Sequence, residues 1–79
     1  MPDDAAVELD CRGMRCPLPI IELARRIAEV EIGGLVALVA DDPAAGPDVQ
    51  AWCRMRAQEY VGQETADDGV PIYLVKRLT

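Results

Sequence analysis

The stretch that decides the fold is Gly33-Gly34-Leu35-Val36-Ala37-Leu38-Val39-Ala40, in which an unbroken apolar run follows two glycines. An apolar run without polar alternation is typical of a strand that is covered on both faces. The two glycines favour the end of a helix, because glycine readily adopts the left-handed conformation that closes one. We therefore predict a central strand over residues 35–40, preceded by a helix.

The residues before this run predict a strand and then that helix. Residues 6–11 (A-V-E-L-D-C) alternate apolar and polar side chains, which is the period of a half-buried strand. Residues 17–32 repeat apolar side chains at helical spacing, with acidic and basic side chains opposite, and predict an amphipathic helix. The predicted buried stripe consists of Ile20, Ile21, Ala24, Ile27 and Ala28. A helical crossover between the two strands makes them parallel.

The residues after the central strand complete the fold. A second helix is predicted over roughly residues 46–61, a weaker strand near 63–66, and a last strand over 70–76 after the turn Asp67-Asp68-Gly69. The order βαβαββ predicts an α/β (α+β) two-layer sandwich, with a four-stranded mixed sheet and two helices on one face. Residues 1–79 are expected to form a single domain, because so short a chain builds one core.

Composition excludes several functional classes. The net charge of −6 argues against direct binding of nucleic acid, and no apolar run is long enough for a membrane helix. Residues 1–6 are acidic and lack the basic and apolar segments of a secretory signal, which predicts a cytoplasmic protein with reduced cysteines. The chain has no histidine, and its three cysteines lack zinc-binding spacing. We therefore expect neither a metal nor another cofactor.

The residues that carry chemistry are 16–19, with the sequence C-P-L-P. Prolines in the first turn of a helix remove only N–H groups that have no acceptor within the helix. The pattern therefore places Cys16 at the N-cap, at the positive end of the helix dipole, with Arg12 and Arg15 nearby. We predict that this locally positive environment lowers the pKa of Cys16 and favours the thiolate. Thiolate attack on sulfur needs neither a general base nor a metal.

The segment Leu9-Asp10-Cys11-Arg12-Gly13-Met14-Arg15-Cys16-Pro17-Leu18-Pro19 resembles the signature of the TusA/SirA sulfur-carrier family. The similarity continues into the central strand, Asp41-Asp42-Pro43-Ala44, the second helix and residues 70–76. The resemblance implies a fold similar to the C-terminal domain of initiation factor three. It also implies a sulfurtransferase-type carrier that holds sulfane sulfur as a persulfide on Cys16.

The resemblance further implies protein partners. A cysteine desulfurase or a rhodanese-like protein would donate the sulfur, and a second protein would accept it. Transfer RNA thiolation, molybdenum cofactor maturation and oxidation of reduced sulfur compounds are all served by such carriers, and the motif does not separate these pathways. We expect the carrier to be a monomer.

Six residues of the signature are candidates for supporting Cys16. The two arginines either stabilise the thiolate or dock an acidic partner, or else they are only solvated turn residues. Asp10 is expected to organise the turn, and Gly13 is expected to supply a positive φ. The complete set of supporting candidates is Asp10, Arg12, Gly13, Arg15, Pro17 and Pro19.

Two other functions remain open from the sequence. In the first, Cys11 and Cys16 form a reversible disulfide in a redox-sensing or regulatory interaction module. In the second, the domain is an adaptor in which Cys16 never reacts. Cys11 and Cys53 are otherwise most simply packing residues.

Overall fold

The computed structural model describes residues 5–79, and its elements follow the predicted order. They are β1 (Ala5–Asp10), α1 (Leu18–Arg26) with a 3-10 turn (Ile27–Glu29), β2 (Leu35–Val39), α2 (Ala45–Arg56), β3 (Glu59–Thr65) and β4 (Pro71–Lys76). The acidic residues 1–4, which entered the prediction of location, lie outside the described residues. In the part of the chain from residue 5 onward, no helix combines the length and apolar character needed to cross a membrane.

The four strands form one mixed sheet in the order β1-β2-β4-β3. β1 and β2 are parallel, with Leu9 beside Leu38, whereas β4 runs antiparallel to both β2 and β3. The prediction of a central strand near residues 35–40 and of a parallel first pair is therefore confirmed. Because β1 and β2 are parallel, the loops that follow them leave the sheet at the same edge.

Both helices pack on one face of this sheet, which confirms the two-layer sandwich. Side chains of β1, β2 and β4 on this face meet side chains of α1 and α2 in one core cluster. Its largest buried members are Leu9, Leu23, Val36, Leu38, Val49, Trp52, Tyr73 and Val75. Full burial of each large aliphatic side chain contributes roughly 1.5–3 kcal/mol.

The opposite face of the sheet is also buried at its centre. Ala37, Val39 and Ile72 form a second apolar cluster there, and each is at most 1% exposed. Ala66 and Val70, on either side of the β3–β4 turn, pack against this cluster. The apolar run of β2 is therefore explained by burial on both faces.

The buried stripe of α1 differs from the predicted one. Leu23 is fully buried, whereas Ile21, Ala24 and Ala28 are exposed. The residues that face the core are Ile20, Leu23, Ile27 and Val30. Their spacing of three or four residues matches the helical repeat better than the predicted stripe, which contained adjacent residues that diverge around the helix.

Both helices end earlier than predicted. α1 ends at Arg26 rather than near residue 32, and Val30 already has extended backbone. α2 ends at Arg56, where Ala57 takes a left-handed conformation with φ 57°. Tyr60 was predicted to lie on the second helix. It lies instead in β3, where it pairs with Val75 of β4 and packs against the core. β3 therefore begins at residue 59 rather than near residue 63.

Candidate functional site

The loop after β1 carries Cys16 from the sheet edge to the start of α1. The amide of Cys11 donates to the carbonyl of Val39 (2.8 Å) and extends the pairing with β2 by one residue. The amide of Met14 then donates to the carbonyl of Cys11 (3.2 Å), and Gly13 has a φ of 78°. This φ is the one predicted for Gly13, and it is favourable because glycine has no Cβ.

The helix start differs from the prediction that Cys16 is its N-cap. Pro17 is the N-cap, because its carbonyl accepts hydrogen bonds from the amides of Ile20 and Ile21, both at 3.0 Å. Pro19 lies in the first turn and is buried, and the Cys16–Pro17 peptide bond is cis. Cys16 therefore lies one residue outside the cap, where the helix dipole acts on it less directly.

Carboxylates of the β2–α2 loop hold the Cys16 loop in place. The amide of Gly13 donates to both oxygens of Asp41, at 3.2 and 3.0 Å. The amide of Cys16 donates to Oδ2 of Asp42 at 3.3 Å, and Oδ1 of Asp42 accepts from the amide of Ala44 at 2.8 Å. Asp42 thus connects the cysteine loop to the turn that leads into α2.

The thiol of Cys16 is partly buried and packs against the main core cluster. Asp48, in the first turn of α2, and Asp42 both act on this thiol with their negative charges. Burial is the largest cause, and the two carboxylates add to it, so that the pKa of Cys16 is raised to about 11.

The prediction of a lowered pKa is therefore wrong. It relied on the arginines next to Cys16 in sequence, but the charges that act on its thiol belong to Asp42 of the β2–α2 loop and Asp48 of α2. Those aspartates come close because β1 and β2 are parallel, so that the residues after each strand meet at one edge of the sheet. Reading residues 11–16 and 41–48 together would have brought Asp42 and Asp48 into the predicted site.

Arg12 pairs with two carboxylates of its own chain. Its guanidinium forms ion pairs with Asp10 at 3.0 Å and with Asp68 at 2.9 Å. The carboxylate of Asp10 also accepts a hydrogen bond from the Arg12 amide at 3.2 Å, so Asp10 organises this turn as expected. Arg15 is exposed. Arg12 therefore fastens the β3–β4 turn to the end of β1.

The other two cysteines differ from Cys16 in access. Cys11 is 1% exposed and Cys53 is 2% exposed, whereas Cys16 is only partly buried, and all three are free thiols. Burial raises the pKa of Cys11, with further increases from Glu22 and Asp10. Burial also raises the pKa of Cys53 to about 11. Exposure, rather than acidity, distinguishes Cys16.

A cleft of about 300 Å³ lies at the ion pair between Arg12 and Asp68. Its walls are formed by Glu8, Arg12, Ala66, Asp67 and Asp68, and Cys16 is not among them. Cys16 therefore does not contribute to this cleft.

Comparisons with known proteins assign the family. The model of the family "Sulfurtransferase TusA" matches residues 7–77. A protein of Archaeoglobus fulgidus named "Putative sulfur carrier protein" is 36% identical over 69 residues, which are 87% of this chain and 90% of that protein. The crystal structure of a SirA-like protein from Desulfitobacterium hafniense has the same fold, with a TM-score of 0.77 at 23% identity over 92% of this chain and 99% of that one. The resemblance drawn from residues 9–19 is thus confirmed, and the chain belongs to the TusA/SirA family of sulfur carriers.

Proposed function

We propose that this chain accepts sulfane sulfur as a persulfide on Cys16 and passes it to a thiol of an acceptor protein. The observation that carries the proposal is the position of Cys16. It is the cysteine of the family motif, and its thiol reaches the surface at the start of α1, whereas Cys11 and Cys53 are buried in the core.

The proposed chemistry is an exchange at sulfur. The Cys16 thiolate attacks the terminal sulfur of a donor persulfide, a new S–S bond forms on Cys16, and the S–S bond of the donor breaks. The donor leaves as a thiolate and takes up the proton that Cys16 has lost. No external oxidant or reductant is needed, because the sulfane sulfur moves from one thiol to another. Delivery is the same exchange with a new partner. A thiolate of the acceptor attacks the outer sulfur of the Cys16 persulfide, the S–S bond on Cys16 breaks, and Cys16 leaves as a thiolate.

The surface around Cys16 suits a protein partner. Leu18, within the motif, and Ile21 both lie in the first turn of α1 and are 52% and 48% exposed. Exposed apolar side chains beside a reactive group favour docking by another protein. We therefore propose two kinds of partner: a cysteine desulfurase or rhodanese-like protein that donates the sulfur, and a protein that accepts it. The carrier itself is proposed to be a monomer in the cytoplasm. The pathway it serves is transfer RNA thiolation, molybdenum cofactor maturation or sulfur oxidation.

Intact-mass measurement tests this function directly. The protein is incubated with a cysteine desulfurase and cysteine, or with a rhodanese and thiosulfate, and its mass is compared with that of Cys16→Ser and Cys53→Ser. Wild type and Cys53→Ser should gain one sulfur that a reductant removes, and Cys16→Ser should gain none. Equal gain by Cys16→Ser, or no gain by wild type from either donor, would contradict the proposal.

The same samples separate the carrier from the redox module considered above. A Cys11–Cys16 disulfide would remove two thiols from each monomer after mild oxidation, and Cys11→Ser would prevent that loss. Cys11 is 1% exposed and its pKa is raised by burial, so its thiolate is scarce and poorly accessible. We therefore expect sulfur addition rather than loss of two thiols.

A further inference from the structure

Two carboxylates of the β2–α2 loop hold the backbone of the loop that carries Cys16, and we call Asp41 and Asp42 the carboxylate clamp. Both oxygens of Asp41 accept from the amide of Gly13, at 3.2 and 3.0 Å, and Oδ2 of Asp42 accepts from the amide of Cys16 at 3.3 Å. Within residues 5–79, Gly13 and Cys16 are the only residues of the stretch 12–17 whose amides are bonded outside this loop and β1. The clamp therefore fixes the loop from a different part of the chain.

The clamp is itself fixed by the turn that leads into α2. Oδ1 of Asp42 accepts from the amide of Ala44 at 2.8 Å, and the carbonyl of Asp42 accepts from the amide of Ala45 at 3.0 Å. A carboxylate that bonds the backbone two residues later is restricted by its own turn. Asp42 is also half-buried, so water competes less for its oxygens than at an exposed carboxylate. The amide of Cys16 is thus tied to the start of α2.

The loop has little means of fixing Cys16 by itself. Gly13 has a φ of 78°, and glycine has more conformational freedom to lose on folding than any other residue. Pro17 has no amide hydrogen, so it adds no hydrogen bond on the helix side of Cys16. The hydrogen bond from the amide of Cys16 to Asp42 therefore holds the backbone from which the thiol projects.

Sulfur transfer between two proteins is sensitive to the orientation of the reacting cysteine. The two sulfurs must approach to roughly 3–3.5 Å, and a misplacement of about 1 Å can slow a reaction between bound groups roughly a hundredfold. A small reagent, in contrast, approaches a thiol from any open direction. A fixed Cys16 therefore matters for exchange with a docked protein and much less for reaction with a small molecule.

We propose that the carboxylate clamp positions Cys16 for sulfur transfer, so that its thiol, or the persulfide formed on it, points towards the reacting sulfur of a docked donor or acceptor protein. This inference rests on the proposed function, since it concerns transfer through the same cysteine. Asp41 and Asp42 act through the backbone amides of Gly13 and Cys16 and are positioning residues. They form no bond to sulfur, and the exchange keeps the balance of bonds and protons given above.

Amide hydrogen exchange tests the clamp in the free protein. Asp41→Ala removes the acceptor of the Gly13 amide and Asp42→Ala removes that of the Cys16 amide, so each amide should exchange several-fold faster in its variant. Asparagine at either position keeps an oxygen that can accept, and should retain most of the protection. The amide of Cys11, which donates to the carbonyl of Val39 in the sheet, should stay equally protected and reports an intact fold. Unchanged exchange of Gly13 and Cys16 in the alanine variants would overturn the clamp.

Single-turnover sulfur loading tests the role of the clamp in transfer. The donor, whichever of the desulfurase and the rhodanese loads wild type, is converted to its persulfide and mixed in excess with the carrier, and intact mass is followed over a range of donor concentrations. The Asp41→Ala/Asp42→Ala variant should load about tenfold more slowly at saturating donor. The donor concentration that gives half the maximal rate should change by less than about twofold, because Leu18 and Ile21 remain exposed for docking.

The matched variants separate the hydrogen bonds from the charge and from the fold. Asp41→Asn/Asp42→Asn should recover most of the loading rate, because the acceptor oxygens remain. Asp67→Ala removes an exposed carboxylate from the β3–β4 turn and should load like wild type. Iodoacetamide should alkylate Cys16 of the double alanine variant at least as fast as Cys16 of wild type, because this reagent needs no fixed orientation.

Three results would overturn the positioning role. They are loading of the double alanine variant at the wild-type rate, asparagine variants as slow as the alanine variants, and alkylation that is slowed as much as loading. If wild type gains no sulfur from either donor, the proposed function fails and this inference falls with it. If wild type loads and the alanine variants load equally well, the inference fails alone and the proposed function stands.

Discussion

Cys16 and Cys53 both have a raised pKa, and burial is the largest cause for both, but the nearby charges differ. The pKa of each thiol is raised to about 11. For Cys53 the cause is burial in the core, and the nearby Arg54 acts in the opposite direction. For Cys16 burial is also the largest cause, but the negative charges of Asp48 and Asp42 add to it.

This difference in cause determines which of the two thiols can become more acidic when another protein docks. Desolvation by a packed core changes only when the core opens, so the pKa of Cys53 stays raised as long as the fold is intact. The charges near Cys16 lie at a half-buried surface, where a docking protein can offset them. A thiol can therefore be weakly acidic in the free protein and still be suited to exchange in a complex.

The largest expected difference between the two cysteines is their accessibility to reagents. Cys53 is 2% exposed, so its alkylation requires a local opening that costs several kcal/mol, whereas Cys16 is already at the surface. An opening that costs about 4 kcal/mol would slow Cys53 by roughly a thousandfold relative to Cys16. Peptide mapping after timed exposure to iodoacetamide at pH 8 measures both rates in one sample.

Denaturant provides the control for this comparison. In concentrated urea both cysteines are exposed, and their rates should converge within a few-fold. If Cys53 already reacts as fast as Cys16 without urea, access does not distinguish the two thiols and the choice of Cys16 loses its main structural support.

The second expected difference is in stability. Cys53→Ala removes a sulfur from the contact between α2 and the sheet and should lower the free energy of unfolding by about 1–2 kcal/mol. Cys16→Ala removes a sulfur that is only partly buried and should cost less than about 1 kcal/mol. Urea unfolding followed by tryptophan fluorescence measures both values. A larger loss for Cys16→Ala would mean that the motif cysteine is mainly a packing residue.

Most of the secondary structure could be predicted from local patterns of apolar and polar residues, because these patterns reflect which side chains are buried. The apolar run of β2, the alternation of β1 and the Asp67-Asp68-Gly69 turn all gave the right element type. The ends of the helices were less predictable, because Tyr60 fits a helical stripe and also a half-buried strand. Pairing with β4 decides between them, and that pairing is not visible in a local window of sequence.

The environment of Cys16 was harder to predict than Cys16 itself. The C-P-L-P motif identified the cysteine, but neighbours in sequence suggested a positive environment, whereas neighbours in space make it negative. Arg12 is bound to Asp68, 56 residues away along the chain. Side-chain partners at this separation follow from topology, and the parallel β1–β2 pair was the one clue in the sequence that led towards them.

The raised pKa of Cys53 also makes the stability of the protein depend on pH. The pKa of Cys53 rises from 9.0 to about 11 on folding, so above pH 9 the unfolded chain releases a proton that the folded protein still holds. Stability from this group is therefore complete below pH 9 and is lost as the pH rises towards 11. Cys53→Ala should lose stability less steeply over this range than wild type, as measured by urea unfolding at each pH. Parallel slopes would contradict the raised pKa.

The smallest expected effect comes from Arg12, which sequence proximity had linked to Cys16. Its ion pairs with Asp10 and Asp68 are partly exposed to solvent, and salt screens the remaining charge before it acts on the thiol. Arg12→Gln should therefore change the rate of Cys16 alkylation at pH 8 by less than about twofold, at an ionic strength near 0.15 M. Asp48→Asn, measured alongside, should accelerate alkylation and shows that the assay detects a change in local charge. A several-fold decrease in Arg12→Gln would mean that Arg12 stabilises the thiolate in solution, and that Asp42 and Asp48 are not the dominant charges at Cys16.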